Sequence, residues 1–304
     1  MTMNRKLSSV FLLLLLFSDI YSVCDNKNGL FSVNATVHYN KAYRGFKVNS
    51  NFNLLENYTT IDVYQANVID LCEGTIKNFP FLESLSMINI NLTKIQPHAF
   101  KNVPQLKILS LAVNKLSQII NGSFNNIPSL EIIYLSKNEI SDIQQSAFQG
   151  MPNLREVHLD RNKITQLNAN IFRGSPQIHI IDFKFNIIKY ISRDSFEDLR
   201  PQHKKSMTIF LNKNNIEEVY DLNFNFKNPV NFHLEGNHIQ QISTILHNLK
   251  EGSRLYLNNN KISCVPDDVV EYLTKTSKEL YILNNPITCE CLNRTDYLLE
   301  SISR

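Results

Sequence analysis

Between Leu106 and Phe196 the apolar positions repeat with a period of 24 residues. Leu106, Leu109, Leu111, Leu116, Ile119 and Phe124 recur as Leu130, Ile133, Leu135, Ile140, Ile143 and Phe148. They recur again as Leu154, Val157, Leu159, Ile164, Leu167 and Phe172, then as Ile178, Ile181, Phe183, Ile188, Ile191 and Phe196. One polar residue keeps the same register, at Asn114, Asn138, Asn162 and Asn186, and Pro104, Pro128, Pro152 and Pro176 mark each cycle. A fixed period of this size is the signature of a solenoid. Two apolar residues spaced two apart, such as Leu109 and Leu111, point to one side of a short strand and leave the residue between them facing out. The Asn is predicted to turn inward where the strand ends, its amide meeting backbone groups that no strand partner reaches. Leaving such buried groups unpaired costs roughly 1–3 kcal/mol each. The recurring Phe is predicted to close the opposite side and stack on its equivalent in the next cycle.

Outside this stretch the pattern loosens. The cycles from Tyr58 to about Phe81 and from Leu82 to Gln105 carry Ala66 and Ile90 in place of the Asn. Residues 23–57 alternate instead, through Phe31, Val33, Ala35, Val37 and Tyr39, which predicts a hairpin-like N-terminal cap over an otherwise bare apolar edge. After Phe196 one cycle comes 28 residues after its predecessor, with an extra loop expected at residues 201–205. Further cycles then carry Ile209, Leu211 and Asn214; Phe232, Leu234 and Asn237; Leu255, Leu257 and Asn260; and Leu280, Ile282 and Asn285.

The spelling L-x-x-L-x-L-x-x-N-x-L resembles the leucine-rich repeat. That resemblance implies an α/β-type solenoid: a leucine-rich repeat horseshoe with a parallel concave β-sheet, about ten repeats over residues 58–288, and caps at both ends. The run Pro286-Ile-Thr-Cys289-Glu-Cys291 resembles the start of the C-terminal cap of extracellular members. That cap goes on to two more cysteines, which the remaining residues lack, so 289–304 is read as a truncated cap.

The export signals agree with an extracellular class. Arg5 and Lys6 precede the apolar run Val10 to Phe17, and small Ser22 follows, so residues 1–22 are read as a signal peptide. The run is shorter than the ~20 residues a bilayer needs, and no membrane span is expected. Five sequons, at Asn34, Asn57, Asn91, Asn121 and Asn293, are the expected N-glycosylation sites. A net charge of +3 is too small to point to nucleic acid.

There are five cysteines, an odd number for an exported chain. Cys24 with Cys72 would tie the N-terminal cap to the first repeat, closing a loop worth about 4 kcal/mol. Cys264 and Cys289 stand at equivalent positions of adjacent turns, ~5 Å apart, which suits a disulfide. Cys291 is then the spare thiol for an intermolecular bridge and a disulfide-linked dimer. The alternative pairs Cys264 with Cys291 and leaves Cys289 free. No convergent His or Cys completes a metal site, and no cofactor is expected.

The central outward position of each strand reads Asp62, Ser86, Ser110, Tyr134, His158, Asp182, Phe210, His233, Tyr256 and Tyr281. From Tyr134 onward the column turns aromatic and imidazole-bearing, and the positions beside it add Lys137, Asp160, Arg161, Lys184, Phe185, Lys213, Glu235 and Arg254. Aromatics and Arg dominate interface hot spots. Tyr134, His158, Arg161, Asp182, Phe185, Phe210, His233, Tyr256 and Tyr281 are therefore the candidate partner-binding residues, in a stretch free of sequons. His158 and His233 are read as solvated rather than catalytic, able to make binding pH-sensitive. No nucleophile elbow, zinc-protease helix or P-loop occurs, and an open sheet gives Asp160 and Asp182 no water-excluding cleft.

With its signal peptide, single-Cys N-cap and cysteine-bearing end, the chain resembles the insect secreted leucine-rich immune proteins. Mosquito members circulate in haemolymph, some as disulfide-linked partners of complement-like proteins. This chain has no heptads and matches only members without a coiled coil. The resulting expectation is a secreted, non-enzymatic innate-immune recognition or scaffold protein that binds a protein partner on its concave face. The alternatives are a soluble adhesion or guidance ligand, and an inhibitor of a secreted enzyme.

Overall fold

The computed structural model describes residues 36–39, 42–47, 59–64, 66–199, 206–219, 228–242, 249–267 and 278–288, with positions 269 and 273 besides. The signal-peptide segment, the extra loop at 201–205, the terminal residues 289–304, the sequons at Asn34, Asn57 and Asn293, and Cys24, Cys289 and Cys291 lie outside the described residues.

One main sheet has twelve strands. Thr36–Tyr39 and Ala42–Lys47 pair antiparallel, and Thr36–Tyr39 also pairs antiparallel with Thr60–Tyr64. From Thr60–Tyr64 the strands add in parallel and in sequence order: Ser84–Met87, Ile108–Ser110, Ile132–Tyr134, Glu156–His158, Ile180–Asp182, Met207–Phe210, Val230–His233, Arg254–Tyr256 and Glu279–Tyr281. Register is that of the repeat, with Leu109 opposite Ile133, Ile133 opposite Val157, Val157 opposite Ile181 and Ile181 opposite Ile209. A slip of one residue in any turn would throw its leucines into water, so the buried pattern itself fixes the register.

The core is one continuous column. The repeated apolar positions from Leu106 to Phe172 are all buried, and the fourth cycle departs only at Ile191, which is half-buried against the same column. Phe124, Phe148, Phe172 and Phe196 form the stack on the far side from the sheet, with successive ring centroids 6.1, 5.5 and 6.4 Å apart.

The asparagines form the predicted ladder, and each serves the turn before its own. Asn138 donates to the carbonyl oxygens of Leu111 and Leu135, both at 3.0 Å, and accepts the Leu116 N–H at 3.1 Å. Asn162, Asn186, Asn214, Asn237 and Asn260 repeat the arrangement. This explains why the turn carrying Ile90 does without an Asn. Asn114 accepts both the Ile90 and Leu92 N–H groups, at 3.0 and 3.1 Å, and donates to the Met87 carbonyl at 2.8 Å.

The α in the expected α/β layering is almost empty. The layer behind the sheet is built of turns and two-residue strands such as Gln118–Ile119 beside Asp142–Ile143, and Gln166–Leu167 beside Tyr190–Ile191. Among the described residues only 267, 269 and 273 are helical. A 24-residue cycle that spends its length on two strands, an Asn turn and a buried Phe leaves too little chain for a helix. Cys72 and Cys264 are both disulfide-bonded and stand near opposite ends of the sheet, so neither is the other's partner.

Candidate functional site

The parallel register sets the ten central outward residues into one row across the sheet. Asp62 stands opposite Ser86, Ser86 opposite Ser110, Ser110 opposite Tyr134, and so on through His158, Asp182, Phe210, His233, Tyr256 and Tyr281. Strands about 4.8 Å apart bring flat side chains to stacking distance. Tyr134 and His158 stack at 4.7 Å. Phe210 stacks on His233 at 4.7 Å, His233 on Tyr256 at 4.2 Å and 4° between planes, and Tyr256 on Tyr281 at 4.6 Å and 9°. The rings therefore cover one another's faces and turn their edges and polar atoms to the open side of the sheet.

Asp182 divides the row. It is only 6 % exposed, and its carboxylate accepts the Lys184 backbone N–H at 3.0 Å and pairs with the Lys184 ammonium at 2.9 Å. The same ammonium lies 4.8 Å from the Phe210 ring centroid, capping the end of the longer stack. Asp182 thus works as an internal counter-charge to Lys184, and Lys184 is the polar group it offers at the surface.

Neither His158 nor His233 is freely solvated, because each is half-buried in the stack beside a carboxylate. His158 Nε2 is 3.2 Å from Glu156, and His233 Nδ1 is 3.0 Å from Glu235. At the end of the row, Arg254 and Tyr281 both bond Glu279 Oε2, at 3.0 and 2.5 Å. Those two bonds, Arg254 first, hold the Glu279 carboxyl below the usual carboxylate range. The bond to Glu279 pushes the Tyr281 phenol up, and burial is the main cause of the rise at Tyr256.

Beyond the row, Arg161 and Phe185 meet at the lip where the strands end, the guanidinium 4.4 Å from the Phe185 ring centroid. The candidate residues thus fall into two groups: the ring row, and this lip beside it. The spelling of the sequence did not show how completely the rings would pair, how far Asp182 would be covered, or the Arg254–Glu279–Tyr281 cluster. The last was legible in principle, since Arg254, Glu279 and Tyr281 occupy outward positions of adjacent strands. Asn91 and Asn121, the two sequons among the described residues, are both exposed. Among the described residues no group of three or more His, Cys, Asp or Glu could hold a metal, and no helix is long and apolar enough to cross a membrane.

The leucine rich repeat family matches four overlapping windows, residues 80–140, 104–164, 128–186 and 152–201. This chain is a leucine-rich repeat protein. No curated protein matches it. Among solved structures it is similar to TLR13 in a complex with single-stranded RNA, at 21% identity and a TM-score of 0.61, over 78% of this chain and 34% of that one. It is also similar to human 5T4, a Wnt-activated inhibitory factor, at 16% identity and TM-score 0.54, over 80% and 83% of the two chains. A third is Toll, from the Toll–Spatzle complex of Drosophila, at 16% identity and TM-score 0.55, over 75% and 31%. At these identities the likeness is one of fold, and this leucine-rich repeat chain spans about a third of the length of TLR13 and of Toll.

Proposed function

We propose that this chain is a secreted, non-enzymatic leucine-rich repeat protein that binds a protein partner through the open face of its sheet, in innate-immune recognition or scaffolding. The single observation that carries the reading is the ring row from Tyr134 to Tyr281. Aromatic side chains already ordered by stacking lose little conformational freedom on binding, and their outward edges and hydroxyls can pair with a partner's polar groups. Phe210, His233 and Tyr256, covered on both faces, offer no platform for bases, which favours protein over single-stranded nucleic acid. Several neighbours in fold are known in complexes with ligands, among them Toll with Spatzle in a hub of development and innate immunity. An open, solvated sheet suits recognition better than chemistry that requires water to be excluded.

The rest of the reading concerns the exported state. N-glycans are proposed at Asn34, Asn57, Asn91, Asn121 and Asn293, none of which falls in the stretch from Tyr134 to Tyr281 that carries the ring row. Cys24–Cys72 and Cys264–Cys289 are the proposed disulfides, with Cys291 available for a linked dimer. Non-reducing electrophoresis tests the last point, since a monomer with no free thiol removes the dimer. For the face, the full chain and its Tyr134→Ala/Phe210→Ala/Tyr256→Ala variant are used as baits in the source's extracellular fluid. The variant should recover a protein partner at least tenfold less well. Equal recovery would end the assignment.

A further inference from the structure

The residue just before each ladder Asn has a left-handed backbone. The φ values are +55° at Lys137, +57° at Arg161, +55° at Phe185 and +60° at Lys213, four consecutive turns. Other turns fill this position with Asn89, Asn259 and Asn284 at +55°, +58° and +58°, with Gly236 at +67° and, in the turn next to that of Lys137, with the β-branched Val113 at +58°. A bulky side chain here is held in a sparsely populated conformation, and such residues collect at binding sites. Val113 shows that the turn itself imposes this backbone, and the four middle turns use it to set three cations and one ring side by side.

Their surroundings define the chemistry. All four are exposed on one lip of the sheet, and Phe185 is 43 % and its neighbour Ile187 45 % exposed. Among the described residues Lys137 and Lys213 have no ion pair, and Arg161 has only a long contact of 3.9 Å to Asp160. The Asp160 carboxylate is engaged by the Ser136 hydroxyl, and the Asp182 carboxylate by Lys184. Those two acids are therefore already used. Glu235, beside Lys213, pairs through Oε1 with His233, while its buried Oε2 has no hydrogen-bond partner among the described residues. The lip is a cationic strip with an apolar centre, about 14 Å long over three strand spacings. About four residues of extended chain span that length.

We infer that the Lys137–Arg161–Phe185–Lys213 lip docks an acidic, extended segment of a protein partner that carries one apolar or aromatic side chain at its middle. Carboxylates of the segment meet Lys137, Arg161 and Lys213, and its apolar residue packs on Phe185 and Ile187. A sulfated polysaccharide or an RNA would satisfy the cations and leave Phe185 and Ile187 uncovered by any aliphatic group, so a peptide fits better. The inference rests on the proposal that this chain binds protein, and adds a second contact surface beside the ring row.

The test uses the full chain and a fluorescent twelve-residue peptide of Glu, Asp and Gly with one central Phe. Fluorescence anisotropy is read at low and at physiological salt, because exposed ion pairs weaken as salt screens them. Lys137→Asn/Arg161→Asn/Lys213→Asn removes the charges with a residue this position already accepts in three other turns, so the backbone tolerates it. The expected result is binding weakened at least tenfold by that variant, and about fivefold by Phe185→Ser or by Ser in place of the peptide's Phe. Tyr134→Ala/Phe210→Ala/Tyr256→Ala should leave peptide binding within twofold, which separates failure of the lip from failure of the ring row. Binding unaffected by the lip variant overturns the inference. So does an equal or tighter grip on a heparin oligosaccharide or single-stranded RNA that is lost in the same variant.

Discussion

The open face of the sheet differs sharply between its first three positions and the rest, although the apolar column beneath is continuous and changes only where Ala66 and Ile90 replace the ladder Asn. Asp62, Ser86 and Ser110 leave the centre low, bordered by the exposed Ile88, Ile108 and Val113. From Tyr134 onward the centre is filled by stacked rings edged with paired charges. Under both regions the same leucines are buried, and Asn114 does for the turn of Ile90 what Asn138 does for the turn of Leu116. The interior grammar therefore constrains the visible row hardly at all. Alternate residues of a strand face opposite ways, so the buried set can stay fixed while the exposed set specialises.

Substitutions that separate interior from face sharpen this contrast. The largest effect is expected at Phe148, fully buried between Phe124 and Phe172. Phe148→Ala should cost about 4 kcal/mol in urea unfolding, in the range for a buried ring replaced by a cavity. A cost under about 1 kcal/mol would mean the Phe column is not structural.

Next comes Asn162→Ala, which removes the acceptor of the Ile140 N–H and the donor to the Leu135 and Leu159 carbonyls, each at 3.0 Å. Orphaning buried backbone groups should cost about 2–3 kcal/mol. The loss should spread to the Leu135 turn as faster amide exchange. Exchange that stays slow there would contradict the claim that each Asn serves the turn before its own.

Smaller changes are expected on the face. Tyr256→Ala, with stacks on both sides, should destabilise by about 1 kcal/mol. Ser110→Tyr, placed opposite Tyr134, should extend the row and stabilise by about 0.5 kcal/mol. If Ser110→Tyr instead destabilised the fold, the low region would have a packing reason of its own.

The smallest effect is a titration. The Tyr281 phenol is held above its ordinary range chiefly by its bond to Glu279, so that contribution is present below the ordinary tyrosine pKa and lost as pH rises through the folded one. Glu279 is held below its range by Arg254 and Tyr281, so its contribution is present above the ordinary glutamate pKa and lost as pH falls through the folded value. Ultraviolet titration of Glu279→Gln should show a tyrosinate appearing at lower pH than in the unaltered chain. An unchanged curve would break the cluster.

The buried architecture was legible from the sequence because burial imposes a period, and a period can be counted. Leu106 to Phe196, the Asn ladder and the Phe stack were all written in the spacing. The row of the face was also countable, from Asp62 to Tyr281. What spacing could not show is how exposed neighbours use one another. Asp182 reads as an outward acid, yet Lys184 occupies it. His158 and His233 read as solvated, yet ring stacking and adjacent glutamates enclose them. The left-handed backbone at Lys137, Arg161, Phe185 and Lys213 was hidden because residues as different as Val113, Gly236 and Asn259 share that position, so no residue type marks it.

The claim that the ring-bearing side of the sheet is where a partner sits is tested most directly by placing a photo-crosslinking phenylalanine derivative at single positions. Position 256, in the ring row, is compared with position 149, exposed on the opposite turn layer. Irradiated in extracellular fluid from its source, the chain labelled at 256 should give a discrete adduct with another protein, and the chain labelled at 149 should give none. Adducts at 149 with none at 256 would contradict it.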